Sequence, residues 1–312
     1  GESLSLTGSG VLGAASAGTQ TIINNNTLAI ADGSGGLASN YTLSGATINV
    51  TIIPRTLNVS LSREYDGTTS VSGASLTPTF DSLQGGETLA LSGTGSVSTA
   101  NVGSSKAVSL GSIALAAGSG NPSNYTLNSA TMNITQRVIN LDGIRAYDAT
   151  TNVLSSDINT FGNIVSGETL TISGTGSVVT NSVAMNKTTT IGSLSLGNGS
   201  GLASNYTLTG GTHTFDISPV SVNITGNRQY NGTNVIDSSD LLLTNLLTGE
   251  TVSLSGQGTV ASADVGANKT VTSVNLALTG SNAGNYTLNS YTTSFEILPK
   301  VINLTGTKVY DG

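Results

Sequence analysis

The chain of 312 residues reads as all-β, a tandem array of small antiparallel sandwich repeats forming an elongated rod. Three observations carry that reading. The first is an internal period: Arg63-Glu64-Tyr65-Asp66-Gly67-Thr68-Thr69 returns as Arg145-Ala146-Tyr147-Asp148-Ala149-Thr150-Thr151, as Arg228-Gln229-Tyr230-Asn231-Gly232-Thr233-Asn234 and as Lys308-Val309-Tyr310-Asp311-Gly312, its tyrosines 82, 83 and 80 residues apart. The second is composition, which is rich in Ser, Thr, Asn and Gly with evenly spaced β-branched residues and has no helix-favouring runs. The third is alternation of apolar and polar residues with a period of two, the mark of half-buried strands.

A length prior alone suggests about two domains, but the period overrides it. It divides the chain into complete repeats at 54–135, 136–218 and 219–298, the C-terminal part of another at 1–53 and the start of a further one at 299–312. Gly1-Glu2-Ser3-Leu4 matches Gly86-Glu87-Thr88-Leu89, so the sequence opens inside a repeat and is expected to be a piece of a longer array. A repeat of this length is long enough to own a core, and three in line would make a rod on the order of 100 Å.

Within 1–53, Asn40-Tyr41-Thr42-Leu43 leads to Ile48, Val50 and Ile52, which alternation places on one apolar face. The segment recurs at Asn124-Tyr125-Thr126-Leu127, Asn205-Tyr206-Thr207-Leu208 and Asn285-Tyr286-Thr287-Leu288. It is followed there by the core pairs Met132 and Ile134, Phe215 and Ile217, Phe295 and Ile297. Pro54, Pro219 and Pro299, with Gln136 in the remaining copy, mark the seams, because proline lacks a donor and belongs at a strand entrance. Each seam opens a strand with the apolar pairs Leu57 and Val59, Ile139 and Leu141, Val222 and Ile224, Ile302 and Leu304. The asparagine inside each pair (Asn58, Asn140, Asn223, Asn303) points away from the core and is expected to hydrogen-bond at an edge or junction.

The tyrosine motif comes next. Asp or Asn before Gly is a tight-turn signal, so Tyr65, Asp66, Gly67, Tyr147, Asp148, Tyr230, Asn231, Gly232, Tyr310, Asp311 and Gly312 read as structural strand ends. Residues 70–85, 152–166 and 235–248 are less regular, and one or two short strands or a single helical turn fit them equally. Strands then follow at Gly86–Gly93, Gly167–Gly174 and Gly249–Gly256. A further pair is suggested by Val108, Leu110, Ile113 and Leu115, and by Val271, Val274, Leu276 and Leu278. Six or seven short strands per repeat suit a small sandwich, Ig-like or β-grasp-like, better than a barrel.

Charged residues make up 9% of the chain and the net charge is −7, with a pI near 4.5. Such a surface offers nothing to a phosphate backbone, and nucleic acid is not an expected partner. No run approaches the roughly 18 apolar residues of a membrane span. One histidine and no cysteine make no catalytic triad, so an enzyme is not expected. The glycine-rich loops lack the Lys-Ser or Lys-Thr of a phosphate cradle. No cofactor is implied, and calcium at the junctions is a minor reading, since the loops offer Asn and Ser with an occasional Asp. His213 reads as a structural surface residue, because its counterparts are not His. Asn-x-Ser/Thr sequons such as Asn58-Val59-Ser60 leave glycosylation as a side reading.

One matched pair of charges recurs in every complete repeat: Glu87 with Lys106, Glu168 with Lys187, Glu250 with Lys269. Two readings are open for it, an ion pair or edge charges that discourage strand pairing, and an acid-promoted Lys–Asn amide crosslink.

The Tyr-Asp-Gly-Thr-Thr turn, the Gly-Glu-Thr strand, Asn101-Val102-Gly103 before Lys106, Asp264-Val265-Gly266 before Lys269, and Ala283-Gly284-Asn285-Tyr286-Thr287-Leu288 together resemble the YDG repeat family. This is related to the MBG repeats of filamentous-haemagglutinin-like adhesins of Gram-negative bacteria. The resemblance spans essentially the whole chain, with Ala149 in place of the turn glycine and Val183-Ala184 in place of Val-Gly. It implies two-partner secretion, display at the cell surface, and repeats that act as a stalk or biofilm-matrix segment, with no catalytic residues. The absence of cysteine suits a chain exported unfolded. The leading expectation is a structural spacer whose partners are its own neighbouring repeats. The alternative is that the repeats themselves bind extracellular polysaccharide, other adhesin copies, or host and abiotic surfaces, and a carbohydrate-active enzyme is the third. Few tyrosines are spare for stacking on sugars, which favours the spacer.

Overall fold

The computed structural model describes the backbone of residues 1–312 and the side chains of all but residues 289–293. The fold is all-β: among the described residues the only helices are three-residue 3₁₀ turns.

The repeat at 54–135 shows the plan. Its strands are β1 (Arg55–Glu64), β2 (Ser70–Ser72), β3 (Thr79–Phe80), β4 (Leu89–Ser92), β5 (Thr94–Val97), β6 (Gly103–Ser109), β7 (Ala114–Ala117) and β8 (Tyr125–Thr135). Six form one sheet in the order β2-β5-β6-β8-β1-β3, and β4 pairs with β7 in a second. All these pairings are antiparallel except one. The first and last strands, β1 and β8, run parallel at the centre of the sheet, from Tyr125 opposite Arg55 to Thr135 opposite Glu64. A parallel pair needs a long crossover, and the whole repeat between them supplies it. The irregular stretch after the tyrosine turn holds both kinds of element, β2 and β3 flanking a 3₁₀ turn at Gly73–Ser75.

The plan repeats. In 136–218 the central parallel pair is Asn140–Ala146 with His213–Ser218, and in 219–298 it is Val220–Gln229 with Tyr286–Leu298. The core lies under this pair. Leu57, Val59, Leu61, Met132 and Ile134 are buried in the first repeat, Ile139, Leu141, Phe215 and Ile217 in the second, and Val222, Ile224, Phe295 and Ile297 in the third. Methionine or phenylalanine fills the same fully buried position of each core, so side-chain size varies while the inward period is kept.

Two stretches depart from expectation. Asn49–Ile52 is a strand, but Val50 is exposed, because the strand pairs on one edge only, with Gly18–Asn24. Residues 299–312 form no strand, and Ile302 and Leu304 lie in solvent. In every complete repeat this sequence is held by the repeat's own last strand, and residues 1–312 contain no such strand for it.

Backbone packing divides the chain into two compact units, Gly1–Arg137 with Ser204–Tyr206, and Val138–Ala203 with Thr207–Gly312.

Asn58 shows why an asparagine sits between the two buried residues of β1. The pairing of β8 with β1 slips between Leu127 and Ser129, and the Asn58 side-chain Oδ1 takes hydrogen bonds there from Asn128 Nδ2 (2.9 Å) and Ser129 Oγ (2.7 Å). Its backbone N–H and side-chain amide donate to Asp81 at 3.0 and 2.8 Å. These bonds, the backbone one first, hold the Asp81 carboxyl below its ordinary pKa. A lowered carboxylate pKa stabilises the fold above the unfolded value, and that contribution disappears as pH falls through the folded value. NMR titration should therefore find Asp81 protonating below the usual value of about 3.9, with loosening around Asn58 tracking it. A midpoint at or above that value would refute the account. Gly162 and Thr244 hold the corresponding positions, so the acid response belongs to this repeat alone.

Candidate functional site: the tyrosine turn and the seam

The turn is built from its acidic or amide residue. Asp66 Oδ1 accepts hydrogen bonds from Thr68 N (2.9 Å) and Thr68 Oγ1 (3.0 Å), and Asp148 does the same for Thr150 at 2.9 and 3.0 Å. Asn231 replaces them without loss, since the role needs only an acceptor: Thr233 N and Oγ1 both donate to its Oδ1 at 3.1 Å. The next residue takes positive φ, 77° at Gly67, 80° at Gly232 and 65° at Ala149. Alanine there keeps the turn but carries strain that glycine would not. Ala149→Gly is expected to stabilise the second repeat by about 0.5–1 kcal/mol, the relief of strain outweighing the extra freedom of an unfolded glycine. Paired thermal melts of the two chains read this directly, and a lower melting temperature for the glycine variant would contradict it.

Beneath each turn lies an arginine. Arg63 donates through one terminal nitrogen to Asp66 Oδ2 (2.9 Å) and the Ser70 carbonyl (2.7 Å), and through the other to the Thr68 carbonyl. Arg145 binds the Thr150 carbonyl at 2.7 Å, pairs with Asp148 and lies 5.8 Å from the centre of the Phe215 ring. Burial pulls its pKa below the ordinary guanidinium value, which nearby Asp157 partly opposes. Arg228 donates to the Thr233 and Val235 carbonyls. The Nε atoms of all three arginines are buried without a hydrogen-bond partner. That cost is accepted for a fork which closes the turn from below.

The tyrosine side chains do something the turn itself does not require. In the second unit, Tyr147 is only 3% exposed, and its ring meets Tyr286 edge-on at 5.8 Å and 79°. Its hydroxyl donates to Glu250 Oε1 at 2.8 Å. Burial first, then this hydrogen bond, raises the pKa of Tyr147. Beside it, Val183 N–H donates to Asn285 Oδ1 (3.0 Å), and Leu247 N–H donates to the Tyr286 hydroxyl (3.2 Å). Residues 147 and 183 belong to one repeat, and 247, 250, 285 and 286 to the next. The asparagine and tyrosine of the Asn-Tyr-Thr-Leu segment are thus seam residues.

The first unit contains the same contacts. Tyr65 and Tyr206 meet edge-on at 5.4 Å and 80°, and Val102 N–H donates to Asn205 Oδ1 at 2.9 Å. Ala17 N–H donates to Asn124 Oδ1 at 2.8 Å. Gln136, standing where other copies have proline, bonds the Ser204 and Tyr206 carbonyls through its side chain at 3.2 and 3.0 Å.

The recurring Glu and Lys serve different ends of this arrangement. Lys106 Nζ donates to Thr99 Oγ1 (2.8 Å) and the Asn101 carbonyl (2.7 Å), and Lys187 Nζ to Thr180 Oγ1 (2.9 Å) and the Ser182 carbonyl (3.0 Å). Lys269 Nζ donates to the Ser262 carbonyl at 3.3 Å. In the first two complete repeats the lysine fixes the loop whose valine N–H meets the asparagine across the seam. Glu87 accepts from the Tyr125 hydroxyl, which raises the pKa of that tyrosine, and Glu250 accepts from Tyr147. Among the described residues no ion pair joins Glu87 to Lys106 or Glu250 to Lys269. Ala184 is tolerated where the other repeats have glycine, because a Cβ on Gly103 would meet only Lys106, no closer than 3.6 Å.

His213 is a correction. It is buried, not on the surface: its Nδ1 accepts from Leu141 N–H (3.2 Å) and its Nε2 faces the Leu208 carbonyl (2.9 Å). Among the described residues, no three His, Asp or Glu side chains gather as metal ligands.

A central parallel pair, an arginine-braced Asx turn and a tyrosine–asparagine seam, repeated along one chain, define a modular β-repeat protein. The YDG domain family matches residues 49–132 and 217–294, more than half of the chain, and the chain belongs to that family. No curated protein and no solved structure matches it. Residues 138–216, between the two matched segments, carry the Ala149 and Ala184 departures yet fold with the same strand order.

Proposed function

We propose that this chain is a structural spacer in a large secreted adhesin, displayed at the surface of a Gram-negative bacterium, where it supports cell-surface or cell–cell contact and biofilm matrix. The observation that carries the reading is where the aromatic residues are spent. In a chain with 4% aromatics, Tyr65 and Tyr206, and Tyr147 and Tyr286, are buried against each other at seams, and the asparagine before Tyr206 and before Tyr286 accepts a valine N–H across the seam. Repeats locked to their neighbours by the same side chains transmit position and load along an array, as a spacer must. Partner-assisted secretion and surface display follow from the adhesin reading, and the recognition of a receptor falls to other parts of such a protein.

Small-angle scattering tests the mechanical half of this proposal. A maximum dimension that shortens, with a broader distance distribution, in Tyr147→Ala and changes less in Tyr147→Phe supports seams that set the spacing. A profile that is compact, or that stays the same in both variants, would overturn it.

A further inference from the structure

The third complete repeat carries an amide in its tyrosine turn where the two before it carry an acid. Asp66 divides its carboxylate: Oδ1 accepts from Thr68, and Oδ2 takes the Arg63 guanidinium at 2.9 Å. Asp148 is likewise paired with Arg145. Asn231 Oδ1 accepts from Thr233 N and Oγ1, both at 3.1 Å, which leaves its Nδ2 for the corner where Asp66 offers an oxygen to arginine. An amide donor cannot serve a cation there. Arg228 instead lies 4.0 Å from Asp240.

Asn231 is exposed and is followed by Gly232, which is exposed too, holds a φ of 80° and has open space where a Cβ would stand. Among the described residues, Gly232 N–H donates to no backbone carbonyl. Its nitrogen is thus the least hindered nucleophile a backbone can set beside an asparagine side chain. The two Thr233 donors polarise the Asn231 side-chain carbonyl and stand where negative charge would grow if that carbonyl were attacked. A second Asn-Gly step, Asn198-Gly199, is also exposed but is engaged differently. Gly199 N–H donates to the Gly201 carbonyl at 3.2 Å, and Asn198 ends the strand Ser195–Asn198, paired opposite Leu170. Its Oδ1 accepts from Ala203 N–H at 2.8 Å.

We propose that Asn231 is a deamidation site, at which the third repeat acquires the aspartate that the other two carry. The Gly232 nitrogen bonds to Asn231 Cγ, the Cγ–Nδ2 bond breaks, and the displaced nitrogen leaves as ammonia with the Gly232 amide proton. Water then opens the resulting succinimide at either carbonyl, so that amide and water become acid and ammonia with no change of oxidation state. Opening on the Cγ side gives aspartate with the main chain restored. That product keeps the acceptor for Thr233 and gives Arg228 the carboxylate oxygen that Arg63 has from Asp66. Opening on the main-chain side gives isoaspartate, whose extra backbone methylene removes the turn. This does not depend on the spacer reading.

Peptide mapping by mass spectrometry is the test, on the folded chain held at mildly alkaline pH beside the same chain in urea. In urea the two Asn-Gly steps should convert at similar rates. In the folded chain Asn231 should convert at least about tenfold faster than Asn198, which must wait for its strand end to open, since an opening that costs about 1.4 kcal/mol imposes that factor. Gly232→Ala hinders the attacking nitrogen in a turn that accepts alanine at Ala149, and it should slow conversion at Asn231 to a comparable degree. Asn231→Asp should melt at or above the wild-type temperature, while the isoaspartyl fraction exchanges its Thr233 and Val235 amides faster. Equal rates at Asn231 and Asn198 in the folded chain, a rate at Asn231 that Gly232→Ala leaves unchanged, or an Asn231→Asp chain that melts below the wild type would overturn the proposal.

Discussion

Arg63→Ala should cost the first unit about 2–4 kcal/mol, and lysine at the same position should recover little of it. The guanidinium is nearly buried, with its side chain 12% exposed, and it satisfies the Thr68 and Ser70 carbonyls and Asp66 at once. Truncation would strand those acceptors and open the wall of the turn, whereas an ammonium carries its donors on a single nitrogen and cannot reproduce a two-pronged fork. Asp66→Asn, by contrast, copies the arrangement at Asn231 and should cost less than about 1 kcal/mol, the worth of a largely exposed ion pair. Urea unfolding followed by the exchange rates of amides at 68–72 separates the two. Equal losses for Arg63→Ala and Asp66→Asn would show that the ion pair, not the fork, holds the turn.

The same turn shows how far the sequence could be read. Asp-Gly after a strand is a turn signal that can be read locally, because Asx chemistry and positive φ are local properties. Having explained the motif as a turn, the local signal left the tyrosine without a separate task, and its burial against the next repeat depends on residues about 140 positions away. Spacing gave the repeats, and alternation gave the cores at Met132, Phe215 and Phe295, since a period of two survives any change of side-chain size. Alternation does not encode strand direction, however, so the parallel pairing of the first and last strands was hidden behind an antiparallel expectation. The recurring Glu and Lys have separate partners: Glu87 accepts from Tyr125 of its own repeat and Glu250 from Tyr147 of the preceding one, while Lys106, Lys187 and Lys269 donate to loop carbonyls. One cue was present in the sequence. Two tyrosines recur per repeat in a chain this poor in aromatics, and the second stands beside an asparagine that never varies between copies.

Removing the Tyr147 ring should have the largest effect on the second unit, about 3–5 kcal/mol for Tyr147→Ala, because it empties a buried aromatic site and removes the edge-on contact with Tyr286. Tyr147→Phe isolates the hydroxyl. Glu250 Oε2 is already buried without a hydrogen-bond partner, and the phenylalanine variant deprives Oε1 of the Tyr147 bond as well, at an expected cost of about 1–3 kcal/mol. Glu250→Gln keeps an acceptor for the hydroxyl and should cost less than either. The seam also responds to alkali. Burial and the Glu250 bond raise the pKa of Tyr147, so the neutral phenol is favoured in the folded state. The resulting stabilisation is complete below the unfolded value of about 10 and is lost as pH rises through the higher folded value. Amide exchange across the Val183–Asn285 contact should accelerate in that window in the wild-type chain, while Tyr147→Phe, with no proton to lose, should be loosened at neutral pH and show less further change. An alkaline transition of equal size in both chains would place its origin in another tyrosine and remove the phenol–carboxylate bond from the account of the seam.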